Sequence, residues 1–77
     1  MFKTYDLLIA AILEYKDFQC SIVRDYTGLR CSFQFEGDKE DMKKIVDAYW
    51  RGEVLVEPKK FNNIIRTLKA RTKDINE

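Results

Sequence analysis

The segment FQCSIVRDYTGLRCSFQFEG, residues 18–37, alternates apolar and polar side chains with a period of two. That period belongs to a strand with one greasy and one wet face. Phe18, Cys20 and Ile22 share the greasy side on the way out, and Leu29, Cys31, Phe33 and Phe35 share it on the return. Gly28 supplies the backbone freedom of a tight turn between them. A two-residue Thr27-Gly28 turn sets Tyr26 opposite Leu29, Ile22 opposite Phe33, and Cys20 opposite Phe35. A slip of one residue would carry the apolar set to the other face, so this register is strongly specified. Two strands alone make a marginal sheet. The rest of the chain must therefore cover the apolar face.

Helical patterns flank the hairpin. Tyr5, Leu8, Ile12 and Tyr15 form a stripe that Leu7, Ile9, Ala10, Ala11 and Leu13 widen almost all the way round. Such a helix lies central in a core or under another chain. Thr4 is expected as its N-cap, with Asp6 in the first turn, and it is expected to stop near Lys16-Asp17. Beyond Gly37, Asp38 is expected to cap a second helix whose stripe is Met42, Ile45, Val46 and Tyr49, with Trp50 at its border and Gly52 at its end. Glu53 to Glu57 reads as a short extended piece, an edge strand. Pro58 suits the first position of a third helix with the stripe Phe61, Ile64, Ile65 and Leu68, and the pattern thins after Ala70. The expectation is one α+β domain over residues 1–77, ordered α-β-β-α-(β)-α, with the helices packed on one face of the hairpin.

Seventy-seven residues bury only about 60% of the extended-chain surface, so the core is thin. The breadth of the first helix and the open hairpin edges predict a homodimer. The longest apolar run, Leu7 to Leu13, is far below the roughly 20 residues of a membrane span. No membrane association and a cytoplasmic location are expected, and there thiols stay reduced.

The chain has no histidine, so Ser-His and Cys-His nucleophilic pairs are absent. Cys20 and Cys31 lack the further ligands of a metal site, and their register offset is too large for a disulfide; they read as free, buried thiols. Gly28, Gly37 and Gly52 are isolated and form no phosphate-cradling loop. The acids Glu36, Asp38, Glu40 and Asp41 could suggest Mg²⁺, but capping and the helix dipole account for them. No enzyme, metal or cofactor is expected.

Charge is uneven although the net is +1: residues 58–77 hold six basic and two acidic side chains, and the remainder is net acidic. On the third helix Lys59, Asn63, Arg66 and Lys73 share a face, with Lys69 beside it. Such a face can meet phosphates and base edges. It can equally be the solvated side opposite the apolar stripe. Lys59 and Lys60, near the helix N-terminus, oppose the dipole, and the solvated-face reading leaves that unexplained. The hairpin's polar face carries no aromatic ring for stacking RNA, and Trp50 and Tyr26 are the rings expected to be partly exposed.

The segments TYDLLIAAIL, FQFEG, DAYWRGEVLVEP and IIRTLK, spread from Thr4 to Lys69, together resemble a family of small phage- and prophage-encoded bacterial proteins of unknown function. Asp17 stands where that pattern has glycine, and Glu57 where Asp is usual. The resemblance implies a phage or prophage setting and no particular reaction. The expected function is a non-catalytic protein-interaction or accessory module. The alternative is a nucleic-acid-binding accessory protein that uses Lys59, Asn63, Arg66, Lys69 and Lys73.

Overall fold

The computed structural model describes residues 1–24 and 30–75. Its elements are β1 (Phe2–Thr4), α1 (Leu7–Tyr15), β2 (Cys20–Arg24), β3 (Cys31–Phe35), α2 (Lys39–Trp50) and α3 (Pro58–Ile75). The fold is α+β, as the periodicities predict. The three strands form an antiparallel sheet in the order β1-β3-β2.

The hairpin register is the expected one, with Cys20 opposite Phe35 and Ile22 opposite Phe33. The expected turn at Thr27-Gly28 and the pairing of Tyr26 with Leu29 lie outside the described residues. The third strand, however, lies at the start of the chain and not at Glu53 to Glu57. Phe2 pairs with Phe35 and Thr4 with Phe33, which makes β3 central. Residues 53–57 join no ladder.

Since Thr4 ends a strand, the cap of α1 falls to Asp6. Its Oδ1 accepts from the amides of Leu8 and Ile9 at 2.8 and 3.1 Å, while Thr4 Oγ1 accepts from the Asp6 amide at 3.0 Å. At the far end Asp17 takes φ 73°, the Phe18 amide reaches Leu13 O and the Asp17 amide reaches Glu14 O. This Schellman closure satisfies two end carbonyls without the usual glycine. Gly52, also at φ 73°, closes α2 the same way through Tyr49 O and Ala48 O. Asp38 caps α2 as expected. Glu57 caps α3: its two oxygens accept from the Lys59 and Lys60 amides at 3.1 and 2.6 Å, and Pro58 occupies the first helical position. The helix continues to Ile75, past the point where the apolar pattern thins.

Ile9 to Leu13 are all buried, between the sheet and the other two helices, together with Phe33, Phe35, Met42 and Leu68. The breadth of the apolar surface on α1 is thus largely absorbed within one chain; Tyr5 and Leu8 remain exposed. On the opposite sheet face Lys3, Ser21 and Val23 are exposed. Ser32 is buried there, its hydroxyl donating to Val23 O at 3.3 Å.

Candidate functional site

The basic residues of α3 divide into two groups. Lys59, Asn63, Arg66, Lys69 and Lys73 are all exposed on the outer side of the helix, as their spacing predicts. Among the described residues none of their charged groups has an acidic partner. Glu53 is bound by Arg51, with Nε 2.7 Å from Oε1, and this holds the Arg51 guanidinium above its usual pKa. Lys60 lies over the Tyr15 ring at 4.7 Å, an attractive cation–π geometry.

Arg71 belongs to the other group and turns inward. Its Nη2 donates to Cys20 O at 2.7 Å, and Nη1 stands 3.7 Å from Glu14 Oε1. Glu14 Oε2 is buried and takes no hydrogen bond. The three groups lie in a polar recess lined by Asp17, Gln19 and Ser21 as well. Burial, then the Glu14 carboxylate, pushes the Cys20 thiol up to about 11, against the opposing pull of Arg71. Both cysteines are free, Cys20 buried and Cys31 half-buried beside Arg24 in the ladder. The expectation that both thiols lie inside therefore holds fully only for Cys20. Among the described residues no group of three metal-ligating side chains forms, and no helix is long and apolar enough to cross a membrane.

A second surface is apolar. Leu8 and Ile12 of α1, Tyr49 of α2, Val54 and Val56 of the connecting segment and Phe61 of α3 line an open cleft of about 270 Å³, with Gly52 at its edge. The segment is held at three points. Gly52 ends α2, Glu57 caps α3, and the Glu57 amide donates to the Tyr15 hydroxyl at 3.0 Å. Tyr15 in turn packs edge-to-face on Phe61 at 6.4 Å. Val54 and Val56 point toward the cleft, so the alternate residue Leu55 points away and is 88% exposed. Trp50, 68% exposed, packs edge-to-face on Tyr49 at 5.1 Å. Its exposure follows the reading of its place on the border of the α2 stripe; Tyr26 lies outside the described residues.

The α3 face is legible from helical spacing, and the cleft is not. Leu8 and Ile12 read as core, and only the approach of all three helices to residues 53–57 makes a recess of them. The alternation of Glu53, Val54, Leu55, Val56 and Glu57 was the available signal. It marks one side facing protein and one facing out.

The chain matches no known family model, no curated protein and no solved structure.

Proposed function

We propose that this chain is a non-catalytic interaction module that takes an apolar protein segment into the cleft between α1 and residues 53–57. The observation that carries the reading is a preformed apolar recess bordered by the largely exposed Trp50, which packs on the lining residue Tyr49. Buried apolar area is worth about 25 cal/mol per Å², and large exposed rings are frequent interface anchors. The three ties on residues 53–57 hold the recess open in advance, which lowers the ordering cost of binding. The resemblance of the four sequence segments supports a phage or prophage setting, and the two unpaired thiols support a reducing compartment.

Selection from a displayed random-peptide library tests this. Peptides with apolar anchors should be enriched, bind the wild type at micromolar Kd, and lose at least tenfold in affinity to Leu8→Asp. No enrichment, or undiminished binding to a folded Leu8→Asp variant, rejects the reading.

The α3 face supports a second reading, nucleic-acid binding, because its cations are exposed and lack acidic partners among the described residues. A labelled oligonucleotide should then bind with log K falling against log salt by about 0.9 per phosphate neutralised. Arg66→Ala/Lys69→Ala should flatten that slope. Absence of salt-dependent binding rejects it.

A further inference from the structure

Leu55 lines a different recess from the cleft. Lys16, at the end of α1, and Lys44, Ile45 and Ala48 of α2 line it too, around about 370 Å³. Helical spacing explains the α2 side. Lys44 and Ala48 are one turn apart and Ile45 stands beside them, so one flank of the helix presents an aliphatic floor next to an ammonium group.

The two recesses differ in charge. No charged residue lines the cleft. The second recess holds Lys16, Lys44 and Glu53. The Glu53 carboxylate is already engaged, because Arg51 Nε lies 2.7 and 3.2 Å from its two oxygens. Lys16 and Lys44 are exposed, and neither has an acidic partner among the described residues. Lys16 meets only the Tyr15 ring, at 6.0 Å from its centroid. Two positive charges thus stand uncompensated beside Ile45, Ala48 and the 88% exposed Leu55.

We propose that this recess takes a peptide segment with an apolar side chain flanked by carboxylates. The apolar side chain lies against Ile45, Ala48 and Leu55, and the carboxylates meet Lys16 and Lys44. This holds whatever fills the cleft. Complementary charge selects the partner and speeds its encounter, while the apolar area removed from water holds it. A nucleic acid would satisfy both ammonium groups and leave the aliphatic floor in water. An anionic lipid surface would meet both features, and the test separates it from a peptide.

Selection from a displayed peptide library, with counter-selection on Lys16→Gln/Lys44→Gln, is the test. Enriched peptides should carry Asp or Glu next to Leu, Ile, Met or Phe, and should bind more weakly as salt rises. They should lose about tenfold in affinity to Lys16→Gln/Lys44→Gln and to Leu55→Asp. Lys16→Arg/Lys44→Arg should retain them, and so should Leu8→Asp, which alters only the cleft. All these positions are exposed, so the substitutions leave the fold intact, and thermal melts verify this. Enriched peptides without acidic residues, or equal affinity for the folded Lys16→Gln/Lys44→Gln variant, overturn the proposal. Peptides that are lost to Leu8→Asp and kept by Lys16→Gln/Lys44→Gln occupy the cleft, and overturn this proposal while supporting the cleft reading. Sedimentation with phosphatidylserine–phosphatidylcholine vesicles, lost in Leu55→Asp and with no peptide enriched, overturns it in favour of a lipid surface.

Discussion

Replacing Arg71 by methionine separates a structural cation from the exposed ones on the same helix. Methionine keeps most of the apolar stem and removes the guanidinium. The lost bond to Cys20 O, at 2.7 Å, is a charged hydrogen bond, a class worth about 1.5–3 kcal/mol. The Arg71 side chain is 39% exposed, which places it in the lower half of that range. The pair with Glu14 at 3.7 Å adds at most about 1 kcal/mol, since both partners are a third or so exposed. The expected loss is about 2–3 kcal/mol, or a fall in Tm of roughly 10–20 °C for a domain of this size. Arg71→Lys should lose less, because it keeps the charge without the planar fork. In the Arg71→Met background Glu14→Gln should restore part of the loss by removing a half-buried, unpaired carboxylate. Far-UV circular dichroism during urea and thermal unfolding reads all four chains. Arg66→Ala/Lys69→Ala, with both side chains in solvent, should stay within about 0.5 kcal/mol of wild type. If Arg71→Met does the same, the inward contacts contribute nothing and the reasoning is wrong.

Four further predictions test the packing and caps. The Cys20 thiol, raised from 9.0 to about 11, keeps more protons folded than unfolded between those values, so stability should hold below pH 9 and fall as pH climbs through 11. At about 1.36 kcal/mol per pH unit the drop is about 2–3 kcal/mol, and Cys20→Ala should abolish it in pH-dependent melts. In a native thiol titration at pH 8, Cys31 should react well before Cys20; equal rates would contradict the burial difference. Gly37 sits at φ 142°, and a Cβ there would meet the Phe18 ring at 3.2 Å. Gly37→Ala should therefore cost about 1–3 kcal/mol by chemical denaturation. Asp38→Ala removes the acceptor of two amides at the start of α2 and should cost about 1 kcal/mol by the same assay.

The elements most readable from sequence were those with a period long enough to count. The hairpin register followed from seven alternating positions between Phe18 and Phe35, and both capping residues Asp38 and Gly52 stood where an apolar stripe began or ended. Phe2-Lys3-Thr4 is too short to show a period, and its partner is 33 residues away, so no local signal reveals it. Thr4 and Asp6 are both good caps, and only the strand decides between them. Residues 53–57 alternate as a strand does, but pack against helices in place of a ladder partner. The α3 face could be read because solvent exposure follows helical spacing. Arg71 could not be told from its basic neighbours, since its inward turn depends on the carbonyl of Cys20, 51 positions earlier.

The contact between α1 and α3 also sets an order of events. The apolar sides of Ile9 to Leu13 are closed only when Leu68 and its neighbours arrive from the other end of the chain. On a ribosome the hairpin can zip as soon as β3 is made, for its contacts are local. The nascent α1 must wait with uncovered aliphatic surface until α3 emerges, and that interval is when a chaperone has something to hold.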